Sequence, residues 1–73
     1  MSSDFNKLVI LGNNIRKARK NMKLTQNELA EKLNISREHV AKIETAKKGI
    51  SIKLLFKISD ILSVSEKDLF NFE

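Results

Sequence analysis

Arg37, Glu38, His39 and Lys42 place a planar guanidinium fork, a carboxylate, an imidazole and a flexible ammonium within six residues. Such a set suits readout of a flat polar edge. Arginine can take a guanine edge bidentately, a carboxylate can accept from a cytosine amino group, and a lysine one turn on can reach a guanine or a phosphate. The same residues would equally serve as a solvated helix face whose charges carry no message, with His39 as a spacer and Glu38 orienting Arg37 or closing a cap. Catalysis is a poor fit. The chain has one histidine, no cysteine, no glycine-rich phosphate loop and no acid pair in a segment long enough to build a pocket around. One imidazole with no thiolate cannot make a zinc site, so no metal and no cofactor are expected.

Those side chains need elements to hold them, and 73 residues supply one domain, residues 1–73. A chain this small buries only about 60% of the surface its unfolded form exposes, so its core is thin and its stability should be about 3–5 kcal/mol. No apolar run approaches the roughly 18 residues of a membrane span, and the start lacks the pattern of a signal peptide. A cytoplasmic protein with no membrane contact is expected. The net charge of +5 fits a solvated surface with one basic face, for which nucleic acid is the commonest partner. Many lysine-rich helical proteins carry such a charge with no anionic ligand, so charge alone does not decide.

There is no proline and there are only two glycines, Gly12 and Gly49, so capping residues parse the chain. Phe5, Leu8, Ile15, Ala18 and Met22 recur at helical spacing, which predicts a first helix from about Asp4 to Asn21, with Asp4 or Ser3 as cap and Gly12 inside it. "KLVIL" reads alternatively as a short strand. Thr25 and Glu28 have capping-box spacing ahead of Leu29, Ala30 and Leu33, the stripe of a second helix. Ser36 caps a third with Val40 and Ile43 inward. Ser51 caps a fourth with Ile52, Leu55, Ile58, Ile61 and Leu62 facing the core, and Ser65 a short fifth anchored by Leu69 and Phe70 or Phe72.

In "LTQNELAEKLNISREHV" only Asn34 and Ile35 separate the second helix from the cap of the third. Two helices joined so tightly cannot lie side by side. Ala30 is small enough for a close crossing, Asn34 tolerates a left-handed turn, and Ile35, Val40 and Ile43 anchor the elbow. Those offsets describe a helix-turn-helix over about residues 25–45, whose second helix enters the major groove of DNA. The chain resembles the lambda-repressor-like helix-turn-helix domains of the Cro/repressor (Xre) family through "GNNIRKARKNMKLTQNELAEKLNISREHVAKIE" and "ISIKLLFKISDILSVS", nearly its whole length. It departs from the family at Asn34, where the turn is usually glycine, at Ala46, where glycine commonly ends the third helix, and at Ile50, a frequent proline.

The resemblance implies an all-α, five-helix regulator of transcription, probing double-stranded DNA with base contacts from Arg37, Glu38, His39 and Lys42. It implies phosphate contacts from Thr25, Gln26 and Asn27 at the start of the second helix, and Thr45, Lys47 and Lys48 lie where they would flank the groove beyond the third. It also implies an ion pair between Arg19 and Glu44 that ties the first helix to the third. A homodimer, repressing from a palindromic operator, is the usual way such a domain gains specificity. With no separate dimerisation domain expected, Leu69, Phe70 and Phe72, with Ile10 or Leu11 nearby, are the candidates for that surface. The same apolar tail would suit the toxin partner of an antitoxin, or an adaptor that has lost DNA.

Overall fold

The computed structural model describes residues 3–71 and contains five α-helices: α1 (Ser3–Asn21), α2 (Gln26–Leu33), α3 (Arg37–Glu44), α4 (Ile52–Leu62) and α5 (Glu66–Leu69). "KLVIL" is helical, Gly12 lies within α1, and Ser3 and Asp4 belong to the helix. The last four helices start where a hydroxyl caps them. Thr25 Oγ1, Ser36 Oγ, Ser51 Oγ and Ser65 Oγ accept from the amides of Glu28, His39, Leu54 and Asp68 at 3.0, 3.0, 3.1 and 3.1 Å, each typically worth about 1 kcal/mol. At Thr25 the box is complete, its amide donating to Glu28 Oε1 at 2.9 Å. That bond, then the Thr25 side chain, holds the Glu28 carboxyl below its ordinary pKa.

Every joint between helices turns on a residue with positive φ, and none of them is glycine: Lys23 (59°), Asn34 (58°), Ala46 (61°) and Ser63 (56°). In each, the next amide reaches back to a carbonyl five residues earlier: Leu24 to Arg19, Ile35 to Ala30, Lys47 to Lys42 and Val64 to Ser59. This closure satisfies carbonyls the helix leaves open. In three joints the pattern is a left-handed residue, an apolar residue and a capping hydroxyl: Lys23-Leu24-Thr25, Asn34-Ile35-Ser36 and Ser63-Val64-Ser65. Leu24, Ile35 and Val64 all pack against the core. After α3 the pattern is interrupted by Lys47, Lys48 and Gly49 before Ile50 and Ser51 resume it. Asn34→Gly is therefore expected to be neutral or slightly stabilising, whereas Asn34→Val should cost upwards of about 1 kcal/mol because a branched side chain clashes in the left-handed region. Denaturant melts of the two variants check this, and equal stability for valine and asparagine would contradict it.

The core gathers Leu11, Ile15 and Ala18 of α1 with Leu29, Ala30 and Leu33 of α2, Val40 and Ile43 of α3, Leu55, Ile58 and Leu62 of α4, and Leu69 of α5. Its membership corrects the sequence reading at both ends. The buried stretch of α1 runs only from Leu11 to Arg19, so Phe5 and Met22 at the helix ends are exposed, and Leu11 belongs to the core and not to a partner surface. Leu69, expected on that surface, is 1% exposed, locked between α1 and α4. On α4 the inward face is set by Leu55, Ile58, Ser59 and Leu62, which leaves Ile52 on the flank beside it, 69% exposed. Phe70 is half-exposed, and Phe72 lies outside the described residues.

Two polar features complete the frame. Asn14 Nδ2 donates to the carbonyls of Leu69 at 2.9 Å and Asn71 at 3.0 Å, tying α1 to the chain's end. Gly12 faces α3 so closely that a Cβ there would stand 2.6 Å from the Ile43 carbonyl oxygen and 2.7 Å from that of Glu44.

Candidate nucleic-acid interface

Val40 and Ile43 bury one side of α3, which turns Arg37, Glu38 and Lys42 outward as exposed side chains and leaves His39 and Ala41 half-buried. Capping by Ser36 fixes the open end of the helix beside Arg37. Glu38, Ala41, Lys42, Thr45 and Lys47 line a shallow depression on this face, which brings Glu38 and Lys42 together while Arg37 and His39 lie outside its lining. Ala41 was not among the expected residues; its methyl sits among the polar groups where a thymine methyl would find an apolar contact.

Beneath this face lies a charged junction. Arg19 Nε donates to Glu44 Oε2 at 2.7 Å and Arg19 Nη2 to Glu44 Oε1 at 3.1 Å, a two-point pair buried on both sides. Arg19 Nη1 donates to the Leu24 carbonyl at 2.8 Å, and Gln26 Nε2 donates to Glu44 Oε1 at 3.1 Å. One carboxylate thus joins α1, α2 and α3. Among the described residues no buried side-chain nitrogen or oxygen lacks a partner.

These bonds revise what the flanking residues can offer. Gln26 was expected to turn its amide to phosphate, yet one N–H is held by Glu44, which leaves the other N–H and the carbonyl oxygen. The backbone amides of Gln26 and Asn27 have no partner inside α2, as at any helix start, a geometry that favours an anion. The Thr45 hydroxyl donates to its own helix, at 2.8 Å from the Ala41 carbonyl oxygen, so it offers an outside phosphate no proton without turning away. Lys47 and Lys48 are exposed. Lys47 occupies the place that Leu24, Ile35 and Val64 fill in the other joints, where an apolar residue is usual.

The tight elbow between α2 and α3 and the outward polar face of α3 define a helix-turn-helix domain. The chain belongs to the helix-turn-helix family of Cro/C1 (Xre-like) type, whose model matches residues 15–69. It is 44% identical over 50 residues to a helix-turn-helix-type transcriptional regulator of Methanocaldococcus jannaschii, covering 68% of this chain and 76% of that protein. A second such regulator, from Archaeoglobus fulgidus, is 36% identical over 59 residues, 81% of this chain and 84% of its own length. Among solved structures, the restriction-modification controller protein C.AhdI of Aeromonas hydrophila superposes with a TM-score of 0.81 at 27% identity, over 86% of this chain and 96% of that one. The clp gene regulator ClgR of Corynebacterium glutamicum gives 0.81 at 26% identity, over 93% and 86%. Each of these relatives bears the name of a regulator or a controller protein. No helix among the described residues is long and apolar enough to cross a membrane.

Proposed function

We propose that this chain binds double-stranded DNA in a sequence-dependent way and represses transcription in the cytoplasm, as a homodimer on a two-fold operator. One observation carries the reading: α3 turns Arg37, Glu38 and Lys42 to solvent on one face while Val40 and Ile43 fix its other side in the core. Arg37 and Lys42 read base edges with Glu38 and Ala41 between them, while the start of α2 and the lysines after α3 grip the backbone on either side. The rival occupants of an apolar tail, a toxin or an adaptor's partner, lose one of their anchors because Leu69 is in the core.

Selecting bound sites from a random duplex pool tests the reading, with a palindromic product expected whose half-sites lie about 34 Å apart, one helical turn. Recovery of no sequence at low salt would defeat it. On a selected site, Arg37→Ala should cost about 1–3 kcal/mol and relax preference at one base position, whereas Lys47→Ala should weaken all sequences alike and flatten the salt dependence by about one unit of slope. Losses from Arg37→Ala that are the same on every sequence would move it from base reader to backbone contact.

A further inference from the structure

Among the described residues Ile52 and Phe56 are the two most exposed of the large apolar side chains, at 69% and 51%, and they stand one turn apart on the same flank of α4. We propose that this flank is a two-fold interface with a second copy of the chain, centred on Phe56 and closed by ion pairs from Lys53 to Asp60 of the other copy. The proposal supplies the contact surface for the dimer put forward above, in place of the tail residues, and rests on that reading only for its purpose.

The charges around the flank choose the occupant. Lys53 and Asp60 are both exposed and seven residues apart, so two helical turns bring them onto the same stripe, at opposite ends of the Phe56 position. Among the described residues the ion pair formed is between Arg19 and Glu44, and neither Lys53 nor Asp60 is engaged in one. An interface between identical copies must be complementary to itself. An apolar patch with a cation at one end and an anion at the other meets that condition when two such helices cross antiparallel, because a two-fold axis midway between positions 53 and 60 lays each lysine on the other copy's aspartate. Exposed Lys57, about 100° round the helix from Phe56, falls on the rim of a contact centred on Phe56. Without such pairing, two chains of net charge +5 would repel. For the proposed operator, equivalent points about 34 Å apart would require α3 to lie about 17 Å from that axis, a distance shorter than the protomer's 32 Å longest extent.

The test is sedimentation of the full chain without DNA over a range of concentrations, with circular dichroism to show that each variant is folded. Wild-type chain should dimerise, and Phe56→Glu should remain folded and become monomeric. Lys53→Glu and Asp60→Lys alone should each weaken dimerisation at least tenfold. The double variant Lys53→Glu/Asp60→Lys restores complementarity with the signs reversed and should recover most of the loss. A wild-type chain that is monomeric throughout, a folded Phe56→Glu that dimerises normally, or a double variant no better than its single parents would each overturn the interface. Titration of a single half-site separates this failure from that of the DNA reading. Phe56→Glu should bind it as wild type does, whereas a chain that dimerises through α4 yet binds no duplex would leave the interface standing and remove the operator.

Discussion

Glu44→Ala is expected to destabilise the fold by about 3–5 kcal/mol, because it leaves a buried guanidinium without its counter-charge. Arg19 donates to both carboxylate oxygens and retains only the Leu24 carbonyl once they are gone. Gln26 loses its acceptor in the same step. A loss of that size is comparable to the whole stability of a domain this small, about 3–5 kcal/mol, so a large part of the population should be unfolded at 25 °C. It measures the cost of an orphaned charge and not the net worth of the pair, because desolvation offsets much of the attraction. Removing both partners together, as Arg19→Met/Glu44→Leu, should therefore recover most of the loss. Urea denaturation of the single and double variants decides. A loss below about 1 kcal/mol for Glu44→Ala would mean that the junction is wetter than its burial indicates.

Gly12→Ala reverses the usual rule for a helix. An alanine in place of glycine inside a helix ordinarily gains up to about 1 kcal/mol. Here the added methyl would stand 2.6 and 2.7 Å from two backbone oxygens at the end of α3, which can yield only if the helix moves. Overpacking of this kind typically costs 1–3 kcal/mol, and the expected loss is at the upper end, about 3 kcal/mol. Because Glu44 sits at the same contact, the displacement should also disturb the junction. Gly49→Ala serves as control: nothing lies within 4 Å of a Cβ there, and an exposed change of this sort should stay within about 0.5 kcal/mol. Thermal melts of both compare directly, and a stabilised Gly12→Ala would mean that α1 and α3 lie further apart.

How much of this was legible in the sequence differs by kind of feature. Helix starts were plain, because Thr25, Ser36, Ser51 and Ser65 act on amides three residues away and need no tertiary partner. Asn34 revealed its turn through its tolerance of a left-handed backbone. The candidate base readers could be named because Val40 and Ile43 fix which side of α3 is buried. Burial of neighbouring apolar residues was harder. On α4, Ile52 and Leu55 are both compatible with a 3.6-residue stripe, and only the positions of α1, α2 and α5 decide that one is covered and the other bare. Leu69 likewise looks like surplus apolar area until Asn14 is seen drawing its backbone onto α1. Side-chain bonds were hidden for a different reason. Thr45 and Gln26 are the right residue types for phosphate, but residue type does not tell that the hydroxyl serves Ala41 or that one amide proton serves Glu44.

The joint after α3 is three residues longer than the pattern of the others, and that extra length separates two properties of the chain. The joint there closes as the others do, with Ala46 left-handed and Lys47 bonded back to Lys42, and Ile50 and Ser51 then resume the common pattern of an apolar residue before a cap. Residues 47–49 are thus a detour outside the core, and lengthening an exposed loop costs little, about 0.6 kcal/mol for each doubling. Lysines can be added, lost or moved in that detour without disturbing Arg19, Glu44 or the apolar centre. Under the proposed DNA reading, grip on a polyanion and stability of the fold become separate directions of variation, so a change in how tightly the chain holds need not touch the scaffold.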